Sequence, residues 1–207
     1  MYIYQPEHIL PERIKQAEEI LKQISVKHAF ISGSFLFSHK YNDIDLFVIS
    51  RSKKKISLPK GVKLNYLDFN QLYSLFYHSL IKICVSKSIL PTKPIKTTIA
   101  HYWNIINEIV PEYLNYKNLK QLRSLILYTE YYKNNHVLDP KELYFLTKNL
   151  KDPLRYILKE VPGIITKIGK FSYLKRFFYT QAGFYKDIEY DSQKYLYQLT
   201  HQITHEL

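Results

Sequence analysis

Leu10, Ile14, Ala17, Leu21 and Ile24 recur at helical spacing, with Lys15, Glu18, Glu19 and Lys22 facing away. An apolar stripe with a period near 3.6 predicts an amphipathic helix over roughly residues 8–24. Val26 to Ser32 is a short β-branched and aromatic run, read as a first strand that enters the turn Gly33-Ser34. Residues 35–40 have room for one or two helical turns. From Asp43 to Ser50 the period falls to two. Ile44, Leu46 and Val48 share one face of this second strand, and Asp43, Asp45 and Phe47 share the other. A charged loop from Arg51 is closed by Pro59-Lys60-Gly61, and Val62 to Leu67 is the third strand.

After Asp68 the pattern changes. Asp68 suits the N-cap of a helix from Phe69 to about Tyr77, and a further helix is expected over roughly residues 79–89. Pro91 and Pro94 mark a linker. From Thr97 onward everything reads as helix. Trp103, Ile106 and Val110 share a face, as do Leu122, Leu125 and Ile126. Asp139-Pro140 and Asp152-Pro153 each open a helix with proline at its first position, and Pro162-Gly163 breaks the chain. Two last helices are expected over roughly residues 172–186 and 191–205. The expected fold class is α/β (α+β): a small mixed sheet over residues 1–95, then an all-helical domain over residues 96–207.

Composition narrows the class. Few glycines, five in 207 residues, argue against an all-β sandwich. The single cysteine, Cys84, excludes an internal disulfide framework and a cysteine zinc site, and fits a reducing cytoplasm. The N-terminus shows no basic region followed by an apolar one, and there is no run of about 18 apolar residues, so neither a signal peptide nor a membrane span is expected. The net charge is +12. Both halves carry it: residues 1–95 hold 14 Lys and Arg against 7 Asp and Glu, and residues 96–207 hold 16 against 11. A surplus this large argues for a polyanionic partner, nucleic acid first.

Two carboxylates two residues apart on a strand point the same way and repel unless a cation or proton lies between them. Magnesium, a hard ion that also holds substrate phosphates, suits Asp43 and Asp45. The upstream Gly33-Ser34 turn offers amides and a hydroxyl to a phosphate, and Lys40 or His39 can reach one from the connecting segment.

The order of hydrophobic-Gly-Ser, then Asp-hydrophobic-Asp-hydrophobic, set between strands, resembles the DNA polymerase β-type nucleotidyltransferase superfamily. That superfamily includes small stand-alone nucleotidyltransferases, CCA-adding enzymes, antibiotic nucleotidyltransferases, and toxin or antitoxin members. The resemblance covers roughly residues 20–90. It implies a nucleoside triphosphate substrate, two magnesium ions and release of pyrophosphate. It assigns Gly33 and Ser34 to the triphosphate, and Asp43 and Asp45 to the metals. A third carboxylate, expected on the next strand, helps activate the attacking hydroxyl. Lys63 or Asn65 stands there in this chain, and Asp68 is the only acid in the segment. Either Asp68 completes the site from a shifted position, or the site has two carboxylates. The first-choice acceptor is RNA, with a tRNA 3′ end the leading example. The alternatives are a nucleic-acid-binding or regulatory protein on a catalytically degenerate scaffold, and a toxin–antitoxin component that nucleotidylates a partner protein.

Two basic stretches are candidate nucleic-acid contacts. Arg51, Lys53, Lys54, Lys55, Lys60 and Lys63 lie between Asp45 and Asp68 with no intervening acid, in a loop expected at the mouth of the site. Lys175 and Arg176 lie in the acid-free segment from Gly163 to Lys186, interleaved with Phe171, Tyr173, Phe177, Phe178 and Tyr179. A solvated loop and an amphipathic helix with an aromatic core face are the plainer readings of each. His201 and His205 have the spacing of metal ligands but no third partner, so a surface pair is the better reading.

Overall fold

The alternation along residues 44–49 builds an inner strand of a five-stranded mixed sheet. The fold comes from a computed structural model. It describes residues 1–53, 55–92, 95, 97–98, 101–102, 104–105, 119–150, 156 and 160. The elements are β1 (Tyr2–Tyr4), α1 (Pro11–Gln23), β2 (Ala29–Ser32), α2 (Ser34–Phe37), β3 (Ile44–Ile49), β4 (Val62–Leu67), α3 (Leu75–Leu80), β5 (Cys84–Ser86), α4 (Leu119–Asn134) and α5 (Pro140–Asn149). The sheet order is β1-β5-β2-β3-β4. All neighbours are antiparallel except β3 and β4, which run parallel.

The period-two pattern separates two cores. Ala29, Ile31, Leu46, Val48, Ile83 and Val85 pack with Ala17, Leu21 and Ile24 of the first helical segment. On the other face, Phe30, Phe47, Leu67 and Cys84 pack with Leu72, Tyr77, Leu80 and Ile81. Phe30 and Phe47 stack at 5.0 Å, and Tyr77 meets Phe30 edge-on at 6.2 Å. Ile56 and Leu58 of the β3–β4 connection lie against the α1-side core, so this crossover is tied to the sheet without a helix of its own among the described residues. Lys87 Nζ donates to Ile24 O at 2.6 Å and satisfies a carbonyl at the end of α1.

Two local expectations are corrected, and one element is added. The helix expected over 79–89 is replaced by the end of α3 and by β5. Ile83 and Val85 point to the α1 side and Cys84 to the α3 side, so this segment is buried on both faces and is a strand. Asp68 instead leads into a short 3-10 turn over Gln71–Tyr73 whose N-cap is Asn70, and its Oδ1 accepts from the Asn70 and Gln71 amides at 2.9 Å each. The helix proper begins later, at Leu75, where the Ser74 hydroxyl accepts from Tyr77 N at 3.1 Å. The added element is β1, an edge strand with no counterpart in the sequence pattern.

The chain divides into two compact units, residues 1–99 with 137–148, and residues 100–136 with 149–207. The chain thus returns to the sheet's unit with α5. Asp139 and Glu142 form a capping box there: Asp139 Oδ1 accepts from the Lys141 and Glu142 amides, and Glu142 Oε2 accepts from Asp139 N at 2.7 Å. In the second unit, α4 buries Leu122, Leu125 and Ile126, and Lys133 pairs with Glu160 at 2.7 Å. The helices expected after Asp152-Pro153, including those over 172–186 and 191–205, lie outside the described residues. Among the described residues, no helix is long and apolar enough to cross a membrane.

Candidate functional site

Asp45 lies opposite Ser32 in the antiparallel β2–β3 pair and beside Lys63 in the parallel β3–β4 pair. Its side chain shares the α3 face with Phe47. Ser32 is buried on that face, and its hydroxyl lies 2.8 Å from Leu80 O and 2.9 Å from Ile83 O. That contact fixes the end of β2, where the chain turns at Gly33. Gly33 has φ +99° and ψ −170°, a conformation essentially confined to glycine. A Cβ placed on it would lie 3.4 Å from Asp45 Oδ2. The Gly-Ser turn and the second aspartate therefore meet, as their spacing predicts.

Ser34 opens α2, which is a single turn of four residues. Its dipole is too short to contribute much. Any phosphate contact here depends on the turn's amides and the Ser34 hydroxyl. Lys40 and His39 lie in the segment leading to β3, with Lys40 exposed.

Lys63 and Asn65 occupy the positions where the resemblance implies a third acid, and both face the aspartates. Lys63 Nζ lies 3.5 Å from Asp43 Oδ2. Asn65 Nδ2 donates to Asp45 Oδ1 at 3.1 Å. Asp68 is not part of this group. It follows the opposite end of β4, five residues beyond Lys63 and roughly 16 Å along the strand at about 3.3 Å per residue. Its Oδ1 is engaged by the Asn70 and Gln71 amides. Lys63 and Asn65 were visible in the sequence as the positions lacking an acid, but their pairing with the aspartates emerges only from the register.

The basic loop is also split. Arg51 lies past the far end of β3, with its guanidinium 5.2 Å from the Phe69 ring centroid. Lys53 and Lys55 are exposed in the connection. Lys60 returns to the Asp43 end, because its neighbour Gly61 accepts from Ile44 N at 3.0 Å. Arg51 is therefore not at the mouth of the site, whereas Lys60 is near it. Lys54, Lys175 and Arg176 lie outside the described residues, as do His201 and His205.

The donor set tests the expected metal. Two carboxylates on one face suit a hard divalent ion that draws its remaining ligands from phosphate and water. Among the described residues there is no cluster of three or more Asp, Glu, His or Cys side chains. Asp43, Asp45 and Lys63 together carry a net charge of minus one.

No family model, curated protein or solved structure matches the chain.

Proposed function

We propose that this protein is a magnesium-dependent nucleotidyltransferase acting at the Gly33, Ser34, Asp43 and Asp45 site. The observation that carries this reading is the approach of the glycine-only turn to the Asp45 carboxylate, whose Oδ2 lies 3.4 Å from where a Cβ on Gly33 would stand. That turn leaves close backbone approach open to a triphosphate beside a pair of acids. Asp43 and Asp45 would hold the magnesium, which supplies charge neutralisation on the phosphates. Gly33 and Ser34 would hold the triphosphate, and Lys40 is within the same segment. An acceptor hydroxyl oxygen forms the new bond to the α-phosphorus. The bond to the β-phosphate oxygen breaks, pyrophosphate leaves with the electron pair, and the hydroxyl proton passes to water.

The +12 charge favours RNA as acceptor, with a tRNA 3′ end as the leading candidate. The test is incubation with each labelled nucleoside triphosphate, magnesium and total RNA, comparing wild type with Asp43→Ala/Asp45→Ala. Label on RNA that vanishes in the double variant supports the reading. RNA binding with no transfer of any nucleotide would sink it. Label on a co-purified protein would redirect the acceptor to a partner, as in a toxin–antitoxin pair.

One observation favours a second reading. Lys63 and Asn65 stand where a third acid would activate the hydroxyl. On that reading the site binds nucleotide without transferring it, and the protein is a nucleic-acid-binding or regulatory one. Saturable nucleotide binding, lost in the double variant and unaccompanied by label transfer, would select it.

A further inference from the structure

Lys63 does more than mark a missing acid. The parallel register sets it directly beside Asp45, and its ammonium reaches Asp43 Oδ2 at 3.5 Å. Asn65, next on the same face, donates to Asp45 Oδ1 at 3.1 Å. Each aspartate thus has one oxygen facing a donor from β4. A second metal ion on that side would lie against the Lys63 ammonium, and like charges at that range repel.

The charge balance agrees. A lysine in place of a carboxylate raises the local charge by two, which is the charge of one divalent ion. A site with Lys63 and one ion carries the same net charge as a site with a third carboxylate and two ions. Resting on the nucleotide reading above, we infer that Lys63 stands in for one of the two expected cations. The site then takes a nucleoside triphosphate with a single divalent ion. Asp45 would help hold that ion, while Lys63 pairs with Asp43 and supplies the second positive charge.

The experiment uses the full chain, manganese as the spin-bearing ion, and a triphosphate with a non-hydrolysable methylene between its α- and β-phosphorus atoms. Bound manganese per bound nucleotide is counted after equilibrium dialysis, and electron paramagnetic resonance reports whether two ions are coupled. Wild type is expected to hold one manganese per nucleotide with no coupling between ions. Lys63→Asp is expected to hold two, with spin–spin coupling between them. Asn65→Asp, which keeps Lys63, is expected to stay at one. Two coupled ions in wild type overturn the inference even if Lys63→Asp fails to fold, and they leave the nucleotide reading standing. One ion in a folded, nucleotide-binding Lys63→Asp also overturns it. No nucleotide bound by wild type overturns both.

Discussion

Gly33→Ala tests the turn that brings the two halves of the site together. Gly33 is held at φ +99° and ψ −170°. An L-residue there costs on the order of 1–3 kcal/mol. Alanine also restricts the unfolded chain, which offsets roughly 0.4–1 kcal/mol. The new Cβ would lie 3.4 Å from Asp45 Oδ2, an ordinary contact distance, so the backbone term dominates over steric overlap. The net expectation is a loss of about 1–2 kcal/mol. For a chain of this size that corresponds to a fall in Tm of roughly 2–8 °C. Thermal and urea unfolding followed by circular dichroism measure it, with the urea m-value unchanged. Gly61→Ala is the comparison: φ is +85°, and nothing lies within 4 Å of its Cβ position. It should lose stability without weakening triphosphate binding, whereas Gly33→Ala should do both. A Gly33→Ala protein as stable as wild type, with undiminished triphosphate binding, would refute the reasoning.

Other consequences follow from the same packing. Ser32→Ala leaves the Leu80 and Ile83 carbonyls without their buried donor, and urea unfolding should show a loss of about 1–3 kcal/mol. Phe30→Ala removes the ring that stacks on Phe47 and meets Tyr77, and the same assay should register a loss of roughly 3–5 kcal/mol. Burial lowers the His78 pKa from its ordinary 6.5, against a smaller opposing effect of a backbone hydrogen bond with Leu72. The unfolded chain therefore takes up this proton first as pH falls. The His78 contribution to stability is intact above 6.5 and declines as pH drops through 6.5 toward the lower folded value. Denaturation midpoints across that range should fall less steeply in His78→Gln than in wild type, and identical slopes would refute the assignment.

How far the fold was legible follows from how cleanly each element shows its period. α1 and β3 have uninterrupted stripes, and β2 and β4 are bounded by turn signals, so all four were readable. β1 is three residues long with Tyr2 and Ile3 exposed, so no burial pattern marks it. β5 is three residues buried on both faces, a case in which a strand and a buried helix share the same apolar signature. In the site, the meeting of Gly33 with Asp45 followed from their flanking strands. The place of Asp68 did not, because an acid that closes a turn and an acid that would complete the site look alike in sequence. What separates them is which end of β4 they occupy, and that depends on parallel pairing.

The same pairing connects the core to the charges. Ile44, Leu46 and Val48 align with Val62, Leu64 and Tyr66, and all six belong to the α1-side core. With these on one face, Asp45 and Lys63 must share the other. A slip of one residue would turn Lys63 into the α1-side core and bring apolar side chains to the aspartates. Burial of an unpaired ammonium would oppose that slip strongly. The juxtaposition of Lys63 with the acidic pair is therefore enforced by hydrophobic alternation on the opposite face. Lys63→Asp changes the charge of the site while leaving that alternation, and hence the register, untouched. On the single-ion reading proposed above, that substitution should change the number of ions held per nucleotide while the sheet stays as it is.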